Sequence, residues 1–190
     1  MTLPDRGLQR PPDYLRQDRD GDQDEICRAE LLLDAHRVSG VVGQSGPPRR
    51  LVDVLNALDG PVLLVRDAIV HSLADPGEGP HRHGVLHLRR EAILLAIPAS
   101  DSAPSPSGRD AVETRRAAVS LVLSSLRVTG HVYLPPQAEP GSARLLGRRD
   151  FLPITEAEVT QYSFGINRWR QPLVIVNLER VLLYAPDRAG

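Results

Sequence analysis

Three histidines in one short segment are the residues of this chain best suited to binding a metal. They are His81, His83 and His87, and His71 precedes them in the sequence. In an extended strand these three side chains point to one face, and imidazole nitrogens are common ligands of Zn²⁺. No cysteine or acidic residue lies among them, and Gly79-Pro80 indicates a loop. We keep them as candidates for a metal site, but exposed histidines are the simpler interpretation, and we expect no cofactor.

A second candidate site lies near the C-terminus and mixes aromatic residues with arginines. Its members are Tyr162, Phe164, Arg168, Trp169 and Arg170. Such side chains can stack on bases and contact phosphates, and the same composition is typical of protein interfaces. A structural role at the end of a barrel is the third alternative. The formal net charge of −1 and the aromatic content of 4% favour the last two alternatives over nucleic acid.

Motifs of the familiar enzyme classes are absent from the sequence. It contains no Gly-x-Ser-x-Gly, no phosphate-binding loop and no dinucleotide-binding fingerprint. The carboxylates Asp67 and Glu91, with Glu156 and Glu179 at the corresponding later positions, would have to converge to act as acid and base. Charged side chains at strand ends are far more often on the surface. We therefore expect a protein that is not an enzyme.

The segments that must position these residues occur twice. Residues 85–98 and 173–186 each contain two apolar runs, a polar corner and a final proline. Two further blocks repeat in the same order, one of them around Gly40 and Gly130, at offsets of 88 to 90 residues. Three blocks in order at a nearly constant offset predict an internal duplication.

Most of each copy reads as short strands. Runs of four to eight β-branched and leucine residues between turn signals favour buried strands, and a glycine in the first strand, about residues 30–42, indicates a bend or bulge. We expect the two runs of residues 85–98 to form a hairpin. Residues 50–58 predict a helix, because their leucines and Val54 repeat at i, i+3, i+4 and i+7. A second short helix is expected near residues 111–118.

These elements predict a mainly β fold of two tandem small SH3- or Sm-like barrels, with a short helix in the first. The expected boundaries are a disordered tail at residues 1–25, a first barrel at 26–98, a proline- and serine-rich linker at 99–112 and a second barrel at 113–186. Barrels of this size are marginal alone, so we expect them to contact each other or other chains.

The pattern resembles the Sm-like (Lsm/Hfq-type) family of small barrels. Residues 38–42, 62–70 and 85–98 follow that family's order of a strand ending in hydrophobic-x-Gly, a long bent strand and a short corner, and residues 126–186 repeat it. Sm-like proteins form rings, so the resemblance implies that three duplicated chains would make a six-part ring. The family's RNA-reading positions are not reproduced at the two corners. Residues 50–56 and 62–70 also resemble a bacterial family of small domains that pairs an Arg-Leu-x-Asp-x-Leu-Asn helix with a Leu-Thr-Asp-Ala strand.

Taken together, the sequence predicts a non-catalytic assembly or interaction module. Its partners are expected to be further copies of itself or another protein, without a membrane. The alternative is an RNA- or nucleotide-binding regulator that uses the aromatic and arginine segment. A single cysteine, Cys27, excludes an intramolecular disulfide, and no long apolar run or signal-peptide pattern is present, so we expect a cytoplasmic protein.

Overall fold

A computed structural model of the chain describes residues 27–43, 50–57, 60–75, 77–99, 115–137, 151–163 and 165–186. The predicted tail and nearly all of the predicted linker lie outside these residues. The elements are β1 (Arg28–Leu32), β2 (His36–Val42), α1 (Leu51–Asn56), β3 (Val62–Ser72), β4 (His81–Arg89), β5 (Leu95–Pro98), β6 (Arg115–Leu123), β7 (Leu126–Leu134), β8 (Phe151–Gln161), β9 (Asn167–Asn177) and β10 (Val181–Pro186). Short 3₁₀ turns, Arg90–Ala92 and Leu178–Arg180, follow β4 and β9. Within the described ranges, no helix has the length and hydrophobicity needed to cross a bilayer.

All ten strands belong to one sheet, in the order β10-β6-β7-β8-β9-β5-β1-β2-β3-β4. Every pair of neighbours is antiparallel. Strands β1–β5 form a contiguous first half and β6–β10 a contiguous second half, and β5 joins β9 where the halves meet. The mainly β prediction is confirmed. The two tandem barrels are not confirmed: the described strands form no closed barrel, because β5 pairs both with β1 and with β9 of the other half and the sheet is open at β4 and β10.

The two halves have the same internal order. In the first half the order is β5-β1-β2-β3-β4, and in the second it is β10-β6-β7-β8-β9. The expected hairpins are therefore wrong: β4 pairs with β3, and β5 pairs with β1. The 3₁₀ turn Arg90–Ala92 connects β4, at one edge of the first half, to β5, at the opposite edge.

A β-bulge bends the sheet at the same place in each half. The register between β2 and β3 shifts after Ser39, and the register between β7 and β8 shifts after Thr129. Gly40 and Gly130 lie at these shifts. A Cβ atom on either glycine would lie 2.6 Å from a side-chain methyl and 2.7 Å from a backbone carbonyl oxygen of the neighbouring strand. The predicted bend is confirmed, and the close approach of two backbones explains why glycine occupies both positions.

Local signals correctly predicted the helix but misplaced two other elements. Helix α1 covers most of the predicted range and buries Leu51 and Leu55. The single strand expected at residues 30–42 is two strands, because the chain reverses after Leu33, whose N–H donates to the carbonyl of His36 at 2.9 Å. The helix expected near residues 111–118 is contradicted where the chain is described: residues 115–118 begin β6, in which buried residues alternate with partly buried ones from Val119 onward.

Two apolar cores lie on the sheet, and each takes side chains from both halves. The core of the second half includes four residues of the first half, which are Leu32, Leu94, Leu95 and Ile97. The core of the first half includes Phe151 and Ile175 of the second half. The two halves therefore share buried side chains where they meet.

Candidate functional site

The meeting point of β5 and β9, which we call the joint, shows how this sheet pairs one half with another. Leu95 lies opposite Val176, and Ala96 lies opposite Ile175. All four side chains are buried. The backbone N–H of Asn177 donates to the carbonyl of Leu94 at 3.0 Å and extends the ladder. The joint therefore combines strand pairing with burial of aliphatic side chains.

Asn177 forms the polar centre of the joint. Its side chain is fully buried, and its Nδ2 donates to the carbonyl oxygens of Arg90 at 3.3 Å and Ile93 at 3.0 Å. Its Oδ1 accepts from the backbone N–H of Glu179 at 3.1 Å. One amide group thus satisfies backbone groups in both halves, where burial would make an unpaired group costly.

Replacing Asn177 by alanine is expected to lower the free energy of unfolding by about 2 kcal/mol, since three backbone groups each lose a hydrogen bond. Denaturant unfolding followed by circular dichroism measures the change. Asn167→Ala, at the exposed start of the same strand, is the matched control and should change stability by less than about 0.5 kcal/mol. Equal effects of the two substitutions would contradict this role of the buried amide.

A second set of contacts ties α1 of the first half to β8 of the second. The Asn56 side chain accepts from the backbone N–H of Phe151 at 2.7 Å and donates to its carbonyl at 3.0 Å. The Phe151 ring is buried in the first core, and the guanidinium carbon of Arg90 lies 5.1 Å from its centroid. At the rim of the sheet, Arg180 donates to Asp34 at 2.8 Å. These side-chain contacts connect the two halves in addition to the strand pairing of the joint.

The open edges of the sheet, β4 and β10, carry apolar residues that are exposed. Leu182 and Leu183 are 67% and 65% exposed, whereas Leu94 and Leu95, at the corresponding positions of the first half, are 0% exposed. At the other edge Val85 is exposed, as is Val62 on the neighbouring β3. Among the described residues, β4 and β10 each pair with one strand only.

The predicted aromatic and arginine site is divided by the strand that holds it. Arg168, Trp169 and Arg170 lie in β9, where alternate side chains point to opposite faces. Trp169 packs against the second core, while Arg168 and Arg170 both contact Glu158, with N–O distances of 3.5 and 3.2 Å. Tyr162 is exposed in the loop before β9. Phe164 lies outside the described residues. The structure thus brings the two arginines together and places the indole on the other side.

The candidate metal ligands lie along the exposed edge strand β4. His81, His83 and His87 are all exposed, and His81 Nε2 lies 2.8 Å from Glu78 Oε1. His71 lies in β3. In the described part of the chain, no three His, Cys, Asp or Glu side chains lie close enough together to hold a metal.

Two clefts lie at corresponding places next to the bulges. The larger, about 680 Å³, is lined by His131, Glu156 and Glu158 among others, and the smaller, about 390 Å³, by Glu30 and Asp67 among others. Asp67 and Glu156 both have φ of 49°, in the left-handed region that is uncommon outside glycine. Arg116 donates to Glu156 at 2.5 Å and to His131 at 3.0 Å. Among the predicted acid and base candidates, Glu91 is paired instead with Arg89 at 2.6 Å, on the corner after β4.

Cys27 is half-buried, and burial raises the pKa of its thiol above the ordinary value. The folded state therefore favours the neutral thiol. Its contribution to stability is complete below the unfolded pKa and is lost as the pH rises through the folded pKa. We expect iodoacetamide to modify Cys27 more slowly in the folded protein than in urea at pH 8, with a rate that increases up to pH 10. Equal rates in both states would contradict this expectation.

The residues of the joint and of the open edges were not among the predicted site residues. The available signal was the repeat itself: Leu94-Leu95 and Leu182-Leu183 are the same pair at corresponding positions. Comparison of the chain with protein-family models, with curated proteins and with solved structures gives no significant match.

Proposed function

We propose that the protein is a non-catalytic assembly module that acts by pairing the open edges of its sheet with further strands. The exposure of Leu182 and Leu183, against the complete burial of their counterparts at the joint, carries this proposal. Proteins that remain monomeric usually protect edge strands with charges, bulges or a covering element. Here β10 has a register shift at Leu182, yet Leu182 and Leu183 remain exposed at one end of the sheet. Edge pairing is a common mode of protein recognition.

The proposal includes an origin by duplication of one five-stranded unit of the Sm-like type. Three observations support it: the two halves share one strand order, their bulges lie at Gly40 and Gly130, and their left-handed residues are Asp67 and Glu156. A bent sheet of five strands that is completed by a neighbour fits the resemblance drawn from the sequence. Assembly of such units would proceed through their edges.

Mass in solution tests the assembly function. Light scattering or sedimentation between about 1 and 100 μM should show species larger than the chain, and their fraction should fall on dilution. Leu183→Asp, which places a charge on the β10 edge, should shift the protein towards monomer. Ile166→Asp adds the same charge at a residue that is 81% exposed in a loop, and should leave the mass unchanged. A strict monomer at all these concentrations would refute the proposal.

The alternative function, RNA or nucleotide binding, is supported by one observation. The side chains of Arg168 and Arg170 are 66% and 86% exposed on one face, close to the exposed loop that holds Tyr162. Phosphate contacts through these arginines would give an affinity that falls steeply with salt. The double substitution Arg168→Gln and Arg170→Gln should then abolish binding of single-stranded RNA, while Arg127→Gln on β7 should not. Absence of RNA binding by the unaltered protein at low salt would exclude this alternative.

A further inference from the structure

We infer that a second copy of this chain is the partner of the open edges: β10 of one copy pairs antiparallel with β4 of the next, in the register of the internal joint. The inference rests on the proposed assembly function and specifies its partner and geometry. The joint between β5 and β9 provides the geometry, because β5 corresponds to β10 and β9 corresponds to β4.

The edge β10 corresponds to β5 residue by residue. Within the first half, Leu95 of β5 lies opposite Leu32 of β1. Within the second half, Leu183 of β10 lies opposite Val122 of β6. A register shift at Leu182 precedes this pair, but Leu183 and Tyr184 are paired regularly with β6. These are the two residues of β10 that take the places of Leu95 and Ala96 at the joint.

The edge β4 corresponds to β9 in the same manner. Leu88 lies opposite Leu63 of β3, as Val176 lies opposite Leu152 of β8. His87 takes the place of Ile175. Transferring the register of the joint therefore places Leu183 of one copy opposite Leu88 of the next, and Tyr184 opposite His87. The exposed Leu182 would then cover the β4 edge as Leu94 covers β9.

The correspondence fixes the direction of assembly. Since the joint pairs a β5-type edge with a β9-type edge, it provides a pattern for β10 with β4 and none for β10 with β10 or β4 with β4. The interface is therefore heterologous, with different surfaces on the two partners. Such contacts close into rings or continue as filaments, according to the rotation between neighbouring copies.

Three residues make the interface between copies weaker than the internal joint. His87, Arg89 and Val62 stand where the joint has Ile175, Asn177 and Phe151, so β4 has an imidazole and a guanidinium, and the neighbouring β3 has a smaller side chain. Less apolar area is removed from water, and the buried amide has no counterpart on β4. Contacts between copies should therefore form and dissociate reversibly, while the internal joint stays closed.

Crosslinking between two single-cysteine variants tests the geometry. In a Cys27→Ser background, Leu182→Cys is mixed with Arg89→Cys and treated with a short bifunctional thiol reagent. Both positions are exposed, and in the transferred register they face each other across the interface. Arg82→Cys, also exposed on β4 but about 23 Å away along the strand, is the matched control. Solution mass is measured on the same samples.

The expected result is a crosslinked dimer in the mixture of Leu182→Cys with Arg89→Cys, and none with Arg82→Cys or with either variant alone. If the protein associates but Leu182→Cys reacts with itself or with Arg82→Cys, the inferred geometry is wrong while the assembly function stands. If the copies associate but no crosslink forms, their edges pair in another arrangement and the inference is also wrong. If the protein is a monomer throughout, both proposals fall.

Making the β4 edge more like β9 provides an independent test. The double substitution His87→Ile and Arg89→Asn introduces the residues of the joint and should lower the concentration for half-assembly by about tenfold or more. The same residue types at the far end of the strand, His81→Ile and Arg82→Asn, should leave that concentration unchanged. An equal gain from both pairs would indicate general hydrophobic association and contradict the inferred register.

Discussion

Gly40→Ala and Gly130→Ala are each expected to lower the free energy of unfolding by about 3 kcal/mol, the upper part of the range for added core atoms. In both halves the new methyl group would meet a carbonyl oxygen at 2.7 Å, which cannot move without breaking the sheet. Domains of this size have only about 5–15 kcal/mol of stability. The double variant should therefore lose about 6 kcal/mol, which is enough to unfold a domain at the lower end of that range.

Denaturant unfolding measures these effects, with Gly84→Ala as the matched control. Gly84 lies in β4, and a Cβ atom added there would meet nothing within 4 Å. Its substitution should change stability by less than about 0.5 kcal/mol. A cost at Gly40 with none at Gly130 would show that the two bulges are not equivalent.

Phe151→Ala should destabilise the protein by about 3–5 kcal/mol, because it empties a fully enclosed site at the joint. The ring is 2% exposed in the core of the other half, with Arg90 over its face. Val62→Ala alters the corresponding residue, which is 43% exposed, and should cost about 1 kcal/mol or less.

Phe151→Ala should also uncouple the unfolding of the two halves. Trp169, the single tryptophan, packs against the second core and reports on that half by its fluorescence. Circular dichroism reports on both halves. In the unaltered protein the two transitions should coincide, and in Phe151→Ala they should separate. Coincident transitions with unchanged stability would show that Phe151 does not hold the halves together.

Much of the local structure was predictable from residue patterns. The β-branched runs predicted the strands, the glycine of the first strand predicted its bend, and the leucine spacing of residues 51–58 predicted α1. The joint was not predictable in this manner, because periodicity records which face of a strand is apolar and not which distant strand lies beside it. Leu94 and Leu182 are leucines at corresponding positions of similar segments, yet one is buried and the other exposed.

The arrangement of the aromatic and arginine residues was predicted only in part, for a related reason. The candidate residues were grouped by their composition, so that Trp169 and its neighbouring arginines were expected to form a single surface. Residues 167–170 instead belong to β9, where the period of two places Trp169 against the core and the arginines beside Glu158. Treating that segment as a strand would have predicted the division.

The joint also has a consequence for the order in which the chain is made. Strand β5 leaves the ribosome long before β9, the strand that covers it, has been synthesised. For that interval the nascent polypeptide presents Leu94 and Leu95 to the solvent, and a neighbouring nascent polypeptide offers the same unpaired strand. Ribosome pausing between the two halves would therefore prolong this exposure, and truncation there would give a fragment prone to aggregation. In a circular permutant that places β9 first, β9 would instead be the strand that is exposed until β5 has been synthesised.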